Sequence, residues 1–507
     1  MTRTPERTAE QLLTDFGAPP ARRPIPQPPR RRRERSRQRV NRPIAPRRGR
    51  ARPGLGWAPV EAPLAVYQAA TSEIGGLFPL LASNHVPAVG ARIGYDVHSG
   101  GAFYAHPVEW VLRSMCANPN MVIFGEPGRG KSSTVVAFLL RMMLFGVRTL
   151  VSGDVKGEYS PLMRALGITP IALGRGSAAR LNALDLGPLA ARWDSWSADQ
   201  QREELDGVLG RWVKLLTALA EAQGYAPTVT DEAVLSQVLR RLVGVDAAGT
   251  RLRPVTIPDV QRELADPSPQ LWADTRFADR RQFLDTLRPI TDALANLISG
   301  PLAGLFDEPT NFELDWSAPI QSMDLSLLRS RGDQAVAVAL TCLGSWSSMI
   351  TDLQDDGEIR VVVRDEVWRQ MRLGPKAVQA VDSDLRLSRA EKKIQILVGH
   401  KPSDFLSVGS AGSQEVAIAK DLLALCSTRI LFGQSTRVGG ELSADFALSE
   451  KEGQVTTGWC MERPGRALWK IENNSGLKIQ TVLSPTELRT FDTNAQLRAR
   501  TEPGRPS

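Results

Sequence analysis

Short apolar runs recur along the chain after residue 90, and stretches with helical spacing separate them. Residues 134–143 carry apolar positions at helical spacing and lie between the first two of these runs. The apolar runs, each of a length suited to a buried strand, fall at 121–124, 147–153, 320–325, 359–363, 394–398 and 429–432. A strand, a helix and a second strand within about thirty residues form a βαβ unit, which predicts a mainly parallel sheet.

Residues 188–300 have a different character. Segments 199–223 and 231–243 show helical apolar spacing, acidic starts and few β-branched runs. This pattern predicts a helical subdomain inserted into an α/β core.

Two hairpins are expected beside that core. Residues 90–104 alternate between apolar and polar positions and contain a Gly-Gly turn, which is typical of a hairpin. A later hairpin is predicted over 454–473, turning at Arg463-Pro-Gly465.

The net charge of +8 is concentrated at the amino end of the chain. Residues 1–60 hold 16 Arg against 4 acidic residues, a balance of +12, so the rest of the chain carries −4. Residues 22–39 are rich in Arg and Pro and have too few apolar side chains to offset the entropy of ordering, which predicts disorder. Such a tail could contact nucleic acid, an anionic membrane face or an acidic partner, or could serve only as a solubilising segment.

Several classes of protein are disfavoured. No run of 18 or more apolar residues occurs, so we expect no bilayer-spanning helix. The amino end lacks the apolar region of a signal peptide. The four cysteines are scattered, without metal-binding spacing. We therefore expect a cytoplasmic protein.

Residues 125–132 fit the phosphate-binding pattern G-x-x-x-x-G-K-[ST], between a predicted strand and a predicted helix, as this motif requires. Glycines let the backbone wrap a polyphosphate with its N–H groups inward, and the helix N-terminus adds a favourable partial charge. Lys131 would neutralise the β- and γ-phosphates, and the Ser132 hydroxyl would bind Mg²⁺. The predicted nucleotide-binding residues are Gly125, Glu126, Pro127, Gly128, Arg129, Gly130, Lys131, Ser132 and Ser133.

A second motif, Asp365-Glu366, ends the apolar segment that begins at residue 359. Asp365 would hold Mg²⁺, and Glu366 would orient or deprotonate an attacking water. Arg364 interrupts the apolar run just before this pair. It either places a cation against the site or marks a different strand boundary.

Several motifs, in order along the chain, resemble one family. They are Asp154-Val-Lys-Gly-Glu-Tyr159, Leu181-Asn-Ala-Leu-Asp185, Leu305-Phe-Asp-Glu-Pro-Thr310, Met323-Asp-Leu-Ser326 and Asp365-Glu-Val-Trp368. From about Gly90 to Glu487 the chain resembles the TraC-like, VirB-type ATPases of conjugal transfer and type IV secretion, in the FtsK/HerA P-loop superfamily. One departure is Ala183, where the family usually has proline.

The resemblance implies a RecA-like P-loop NTPase core with an inserted all-helical subdomain, ATP and Mg²⁺ as cofactors, and a homo-hexamer that hydrolyses ATP at subunit interfaces. It further implies inner-membrane conjugation channel proteins as partners, at the inner face of the cell membrane. The corresponding division of the chain is a disordered basic tail at 1–56, core at 57–187, helical insertion at 188–300, core at 301–490 and a flexible tail at 491–507.

The resemblance also bears on two candidate polar sensors. The family tends to place Thr-Gln where this chain has Gly399-His400, and that Gln typically senses the γ-phosphate. His400 could donate a similar hydrogen bond, or be a loop histidine that bonds only to backbone. Gln434 is a second candidate.

Three further charged residues are candidates for catalysis. Glu158 could act on the water or couple to a neighbouring subunit, or be a carboxylate favoured at a helix N-terminus. A hexameric motor also needs a cation supplied by the neighbouring subunit. Arg429 and Arg437 are candidates for that role.

The residues leave three functions open. The chain could be an ATP-hydrolysing motor for DNA or protein transfer, a DNA translocase or helicase of the same superfamily, or a scaffold whose assembly depends on nucleotide. The intact Lys131–Ser132 and Asp365–Glu366 pairs favour hydrolysis. The acidic balance of the body disfavours an extended DNA track outside the tail.

Overall fold

The computed structural model describes residues 86–491 apart from 175, 188–189, 191, 247–248, 251, 301, 313–317, 354–356 and 410–411. The basic tail predicted at 1–56 lies outside the described residues, as does the predicted C-terminal tail at 491–507 apart from Phe491, which is buried.

A large mixed sheet organises the described part of the chain. The strands are β1 (Ala91–Asp96), β2 (Ala102–Ala105), β3 (Met121–Phe124), β4 (Arg148–Asp154), β5 (Ile171–Ala172), β6 (Val245–Asp246), β7 (Gly249–Thr250), β8 (Ile320–Asp324), β9 (Arg360–Asp365), β10 (Lys393–Val398), β11 (Thr428–Phe432), β12 (Arg466–Ile471) and β13 (Leu477–Thr481). Eleven of them form one sheet in the order β2-β1-β13-β12-β11-β3-β10-β9-β4-β8-β5.

The strands from β11 to β5 run parallel to one another. Strands β12, β13, β1 and β2 extend the sheet through antiparallel pairs. The predicted parallel core and the first predicted hairpin, β1–β2, are confirmed.

Helices cover both faces of the sheet and build the insertion. They are α1 (Pro107–Leu112), α2 (Lys131–Met142), α3 (Ser160–Ala165), α4 (Ala198–Ala222), α5 (Val229–Val243), α6 (Ile257–Ala265), α7 (Pro269–Asp274), α8 (Arg280–Ser299), α9 (Asp333–Leu353), α10 (Trp368–Met371), α11 (Pro375–Leu387), α12 (Pro402–Leu406), α13 (Gln414–Ala424), α14 (Thr436–Asp445), α15 (Glu450–Thr457), α16 (Trp459–Glu462) and α17 (Pro485–Thr490). Short 3₁₀ turns lie at Met143–Phe145, Trp193–Ser195 and Ser326–Arg331.

Strand β3 shows why the central strands read as continuous apolar runs. Met121 and Ile123 pack into the core cluster that contains the inner face of α2. Val122 and Phe124 pack on the other face, with residues of α11 and α13. Because helices cover both faces of a parallel sheet, every side chain of such a strand is buried.

The predicted helical insertion is present as α4 to α8. Its helices begin at strong caps: Ser197 caps α4 and Thr228 caps α5, each through a reciprocal capping box. Their apolar faces share a core cluster with α9. The insertion is not entirely helical, because Gly244 ends α5 in the left-handed conformation and the short antiparallel pair β6–β7 follows.

The prediction of a late hairpin over 454–473 was wrong. Helices α15 and α16 occupy the first half of that range, and the hairpin is β12–β13. Ser449 starts α15, since its hydroxyl and the Glu452 carboxylate each accept the other residue's backbone N–H. Pro464-Gly465 therefore separates α16 from β12 rather than joining two strands.

Candidate nucleotide-binding site

The glycine loop connects β3 to α2, and neighbouring strands anchor it. The Gly125 N–H donates to the carbonyl oxygen of His400 (3.2 Å), and the Glu126 N–H donates to that of Gly433 (3.1 Å). These two carbonyls come shortly after β10 and β11. The loop therefore lies where the carboxyl ends of the parallel strands meet, the usual ligand-binding edge of an open α/β sheet.

Two glycines of the loop have backbone conformations that side chains disfavour. Gly128 and Gly130 have φ of 77° and 92°, in the left-handed region that favours glycine. A Cβ on Gly130 would also lie 2.7 Å from the nitrogen of Gly465. The Gly465 N–H donates to the Arg129 carbonyl oxygen (2.9 Å). The turn before β12 thus supports the shape of the loop.

Lys131 begins α2, and its side chain folds back over the loop. Its Nζ donates to the carbonyl oxygens of Gly125 (2.5 Å) and Glu126 (3.1 Å). Burial, together with the nearby Lys156 ammonium, lowers the pKa of Lys131 to about 8, although neighbouring carboxylates oppose the shift. A polyphosphate in the loop would favour the charged form of this lysine.

Asp365 ends β9 and is almost completely buried. Burial raises its pKa to about 8; Lys156 opposes the shift, and Glu366 adds to it. A bound cation would favour the ionised carboxylate. Ser132 lines the same cavity as Asp365.

The donor set fits Mg²⁺. No group of three or more His, Cys, Asp or Glu side chains in the described ranges is arranged to hold a metal ion. Mg²⁺ does not need such a cage, because it commonly takes one or two protein ligands and completes its shell with substrate phosphates and water. A hydroxyl and a buried carboxylate beside the glycine loop are suited to this role.

Glu366 follows Asp365 in a strained backbone conformation, with φ of 53°. Its carboxylate oxygen Oε1 contacts Lys156 Nζ (2.5 Å) and His400 Nε2 (3.2 Å). Its other oxygen accepts the indole N–H of Trp368 (2.8 Å). Burial acts to raise the pKa of Glu366, but the His400 hydrogen bond and the Lys156 charge outweigh it and hold that pKa well below its usual range.

A tight turn after β4 presents Lys156 and Glu158 to the same site. The Asp154 carboxylate accepts the backbone N–H groups of Lys156 (3.3 Å), Glu158 (2.9 Å) and Tyr159 (2.9 Å). Burial raises the pKa of Asp154 to about 7, although the hydrogen bonds from the Tyr159 and Glu158 backbone oppose the shift. The first residue of the sequence motif therefore shapes the turn, and the third and fifth face the cavity.

These groups surround one cavity of about 620 Å³. Its polar side contains the glycine loop, the strand-end carboxylates and His400. Its apolar side is formed by Pro464, Leu483, Leu488 and Phe491. The structure therefore brings together the predicted residues Lys131, Ser132, Glu158, Asp365, Glu366 and His400.

Arg364 does not face this cavity. Its guanidinium contacts Asp384 (2.5 Å) and donates to Gln395 (3.2 Å), and only 4% of its surface is exposed. Strand β9 continues through it to Asp365. Arg364 interrupts the apolar run because the side chain is paired inside the protein, not because the strand ends there.

Three other candidates lie outside the cavity lining. Arg429 follows the start of β11, where it donates to the Glu472 carbonyl oxygen (3.3 Å) and lies over the Phe446 ring. Gln434 is buried and donates to the His400 carbonyl oxygen (2.6 Å). Arg437 is exposed on α14. Gln434 thus fixes the backbone of the His400 loop, and a role of either arginine toward another subunit stays a prediction.

Sequence reasoning gave no role to Lys156 or to the apolar side of the cavity. The position of Lys156 between two acidic residues of a recognised motif was an available signal. The apolar side of the cavity had no comparable signal in the sequence. Helix α17 and the turn before β12 lie far from the glycine loop along the chain, and only the folded sheet brings them next to it.

The fold can be compared with known proteins. No family model matches the sequence, and neither does any curated protein. VirB4 of Thermoanaerobacter pseudethanolicus is similar in structure, with a TM-score of 0.59 and 20% sequence identity, over 80% of this chain and 99% of that one. The chain shares its fold with VirB4. The bacterial conjugative coupling protein TrwB is also similar, with a TM-score of 0.50 and 11% identity, over 78% of this chain and 89% of that one.

The similarity to VirB4 confirms the predicted fold class, an α/β core with a mainly parallel sheet and inserted helices. At 20% identity the likeness is one of fold, and the chemistry depends on the residues of the cavity. In the described part of the chain, none of the helices combines the length and apolar character needed to cross a bilayer.

Proposed function

We propose that the chain is an ATP-hydrolysing motor of a conjugative-transfer or type IV secretion-like system, which energises DNA or protein transfer or channel assembly. The observation that carries the proposal is the convergence of Lys131, Asp365, Glu366 and His400 on one cavity beside the glycine loop. A fold shared with VirB4 over 99% of the solved chain supports the choice of system.

The loop and its lysine would bind the phosphates of ATP. Backbone N–H groups of the loop and the start of α2 favour anions, and Lys131 would neutralise the β- and γ-phosphates. Ser132 and Asp365 would hold Mg²⁺, which offsets phosphate charge when it is bound. These residues would position the γ-phosphate for attack by water.

Glu366 is the residue best placed to orient that water. Its carboxylate is fixed by Lys156, His400 and Trp368. A carboxylate already bonded to three donors is suited to holding a water in one orientation. Lys156 and His400 bring two more polar groups to the cavity, which could offset the charge that develops during phosphoryl transfer.

The assembly and location that accompany this function are also proposals. A homo-hexamer at the inner face of the membrane, next to channel proteins, would place each site beside a neighbouring subunit. The described lining of the cavity contains Lys131 and Lys156 and no other lysine or arginine. The neighbouring subunit would supply the further cation. Arg429 and Arg437 are the candidates for it.

The test is the ATPase rate of the wild type and of Lys131→Ala, each alone, with single-stranded DNA and with duplex DNA. We expect turnover by the wild type, little change with either DNA, and loss of turnover in Lys131→Ala. Lys420→Ala is the matched control, because Lys420 is exposed on α13 and does not line the cavity. Strong stimulation by DNA at moderate salt would indicate a translocase, and the absence of turnover in every variant would indicate a scaffold.

A further inference from the structure

Trp368 is a residue close to the reacting groups that does not itself line the cavity. It begins α10, two residues after Glu366, and is partly buried. Its indole Nε1–H donates to Glu366 Oε2 at 2.8 Å. This is a charge-assisted hydrogen bond, of the stronger class in proteins.

The two oxygens of Glu366 have different environments. Oε1 contacts Lys156 and His400, which both line the cavity. Oε2 accepts the indole N–H of Trp368 and lies 3.7 Å from Arg369 Nε, and neither residue is among the lining residues. The indole thus fixes the rotation of the carboxyl group and leaves Oε1 with the two cavity residues.

The indole is itself held in place. The guanidinium of Arg372 lies 4.3 Å from the ring centre, and that of Arg369 lies 4.8 Å from it, distances typical of cation–π contacts. Arg372 donates to the Ser407 hydroxyl (2.7 Å), and Arg369 pairs with Asp333. A ring fixed by two anchored guanidinium groups offers its N–H in one direction.

Glu366 needs such a restraint. Its φ of 53° is a conformation that non-glycine residues seldom adopt, and residues in such regions persist when their surroundings over-determine them. The N–H of Arg369 also donates to the Glu366 carbonyl oxygen (2.9 Å), which ties this strained residue to the first turn of α10. Helix α10 therefore holds both parts of Glu366, the side chain through Trp368 and the backbone through Arg369.

We propose that Trp368 is a positioning residue for ATP hydrolysis, which acts by orienting the Glu366 carboxylate through its indole N–H. This rests on the proposed function. The residue acts on the chemical step and not on nucleotide binding, because it touches Glu366 and lies outside the cavity lining.

The decisive variant is Trp368→Phe, which keeps an aromatic ring and removes the N–H. Loss of a hydrogen bond to a charged group should lower kcat by about 10- to 100-fold, with KM for ATP unchanged. Trp212→Phe is the matched control, because Trp212 is buried in α4 and its Nε1 finds no hydrogen-bond partner among the described residues. We expect the control to retain the wild-type kcat.

A double-mutant cycle with Glu366→Gln separates positioning from a general structural effect. If Trp368 acts through Glu366, Trp368→Phe should lower the residual rate of Glu366→Gln much less than it lowers the wild-type rate. An equal fold-loss in both backgrounds would overturn the proposal. So would an unchanged kcat in Trp368→Phe, or an increase in KM that accounts for the whole effect.

A spectroscopic measurement tests the contact independently of turnover. In nuclear magnetic resonance spectra with ¹⁵N-labelled indoles, the Trp368 signal is the one missing from Trp368→Phe. Glu366→Gln should shift that signal, since a neutral acceptor replaces a carboxylate, and an unmoved signal would contradict the contact. The two proposals can fail separately. If Glu366→Gln shifts the signal but the wild type hydrolyses no ATP, the contact is established, and the proposed function and the role of Trp368 in hydrolysis are refuted.

Discussion

Two glutamates face the same cavity, and their surroundings give them different properties. Glu366 is bonded to Lys156, His400 and Trp368. Glu158 reaches the cavity from a turn held by Asp154, through the Glu158 backbone N–H. The side chain of Glu366 is therefore held by three hydrogen-bond or ion-pair partners. For Glu158, the hydrogen bond to Asp154 holds the backbone and not the carboxylate.

We therefore expect Glu366→Gln to lower kcat by about 100-fold or more, as is typical when a water-orienting or basic group is removed. ATP affinity should be retained, because the loop and Lys131 carry the binding. Glu158→Gln should have a much smaller effect on kcat. Steady-state kinetics and equilibrium binding of a fluorescent ATP analogue measure both quantities.

If Glu158→Gln lowered kcat more than Glu366→Gln did, Glu158 would be the residue that orients the water. Equal losses in kcat would indicate that the two carboxylates act together. Either result would leave the nucleotide site intact and change only the assignment of the base.

At the scale of elements, the contact between α17 and α2 completes the apolar side of the cavity. Arg141 of α2 donates through two nitrogens to the Glu487 carboxylate of α17, at 2.9 and 2.8 Å. Arg141 also donates to the Val482 carbonyl oxygen (2.7 Å). Glu487 is 7% exposed, so this pair is shielded from solvent.

Glu487→Gln should destabilise the protein by about 1–3 kcal/mol, since a shielded bidentate pair is replaced by a neutral amide beside a charged arginine. Burial opposes ionisation of Glu487, but the Arg141 hydrogen bond outweighs it and lowers the pKa of this carboxyl. A carboxyl with a lowered folded-state pKa contributes stability above its unfolded pKa, about 4.3, and loses that contribution as the pH falls.

Urea unfolding of the wild type and of Glu487→Gln at several pH values measures this contribution. The difference in unfolding free energy should be largest near neutral pH and should shrink below about pH 4.3. Arg113→Gln is a control, because the Arg113–Glu109 pair is an exposed contact within one helical region and should contribute little. A difference that does not change with pH would mean that Glu487 acts through packing rather than charge.

Elements with a strong local pattern were predicted well. The strand predicted at 394–398 is Lys393–Val398 in the structure, and the strand predicted at 121–124 has the same bounds in the structure. Continuous apolar runs of this length are buried on both faces wherever they lie in a parallel sheet. The late hairpin was missed because the Ser449 cap and the acidic start of α15 outweighed a turn-like Pro-Gly pair.

At the scale of the whole molecule, charge separates the amino-terminal region from the rest. Residues 1–60 carry +12, whereas the remainder carries −4. The Arg-rich tail at 1–56 lies outside the described residues, so its partner stays a prediction from composition.

Removal of residues 2–56 should leave the ATPase rate in the absence of DNA unchanged, because the cavity is built from residues beyond 124. The truncation should abolish salt-sensitive binding to DNA and to anionic vesicles. A full-length variant with Gln in place of the arginines of 22–39 controls for chain length. Retention of salt-sensitive binding by both variants would locate the contact elsewhere and refute the tail as the binding segment.

The sequence by itself determined the parts of the site that depend on contiguous residues. The glycine loop, Lys131 and the strand-end pair Asp365-Glu366 could be located because a strand, a tight loop and a helix start impose their own residue types. The helical insertion was visible for the same reason, since its periodicity and caps are local.

Only the tertiary structure decided which side chains meet. Strand β3 lies between β10 and β11, and β9 lies between β10 and β4, although these strands are far apart in the sequence. This order brings Lys156 and His400 to Glu366, and it turns Arg364 toward Asp384 and away from the cavity. Side-chain direction depends on packing between distant segments, and a linear pattern carries no record of those neighbours.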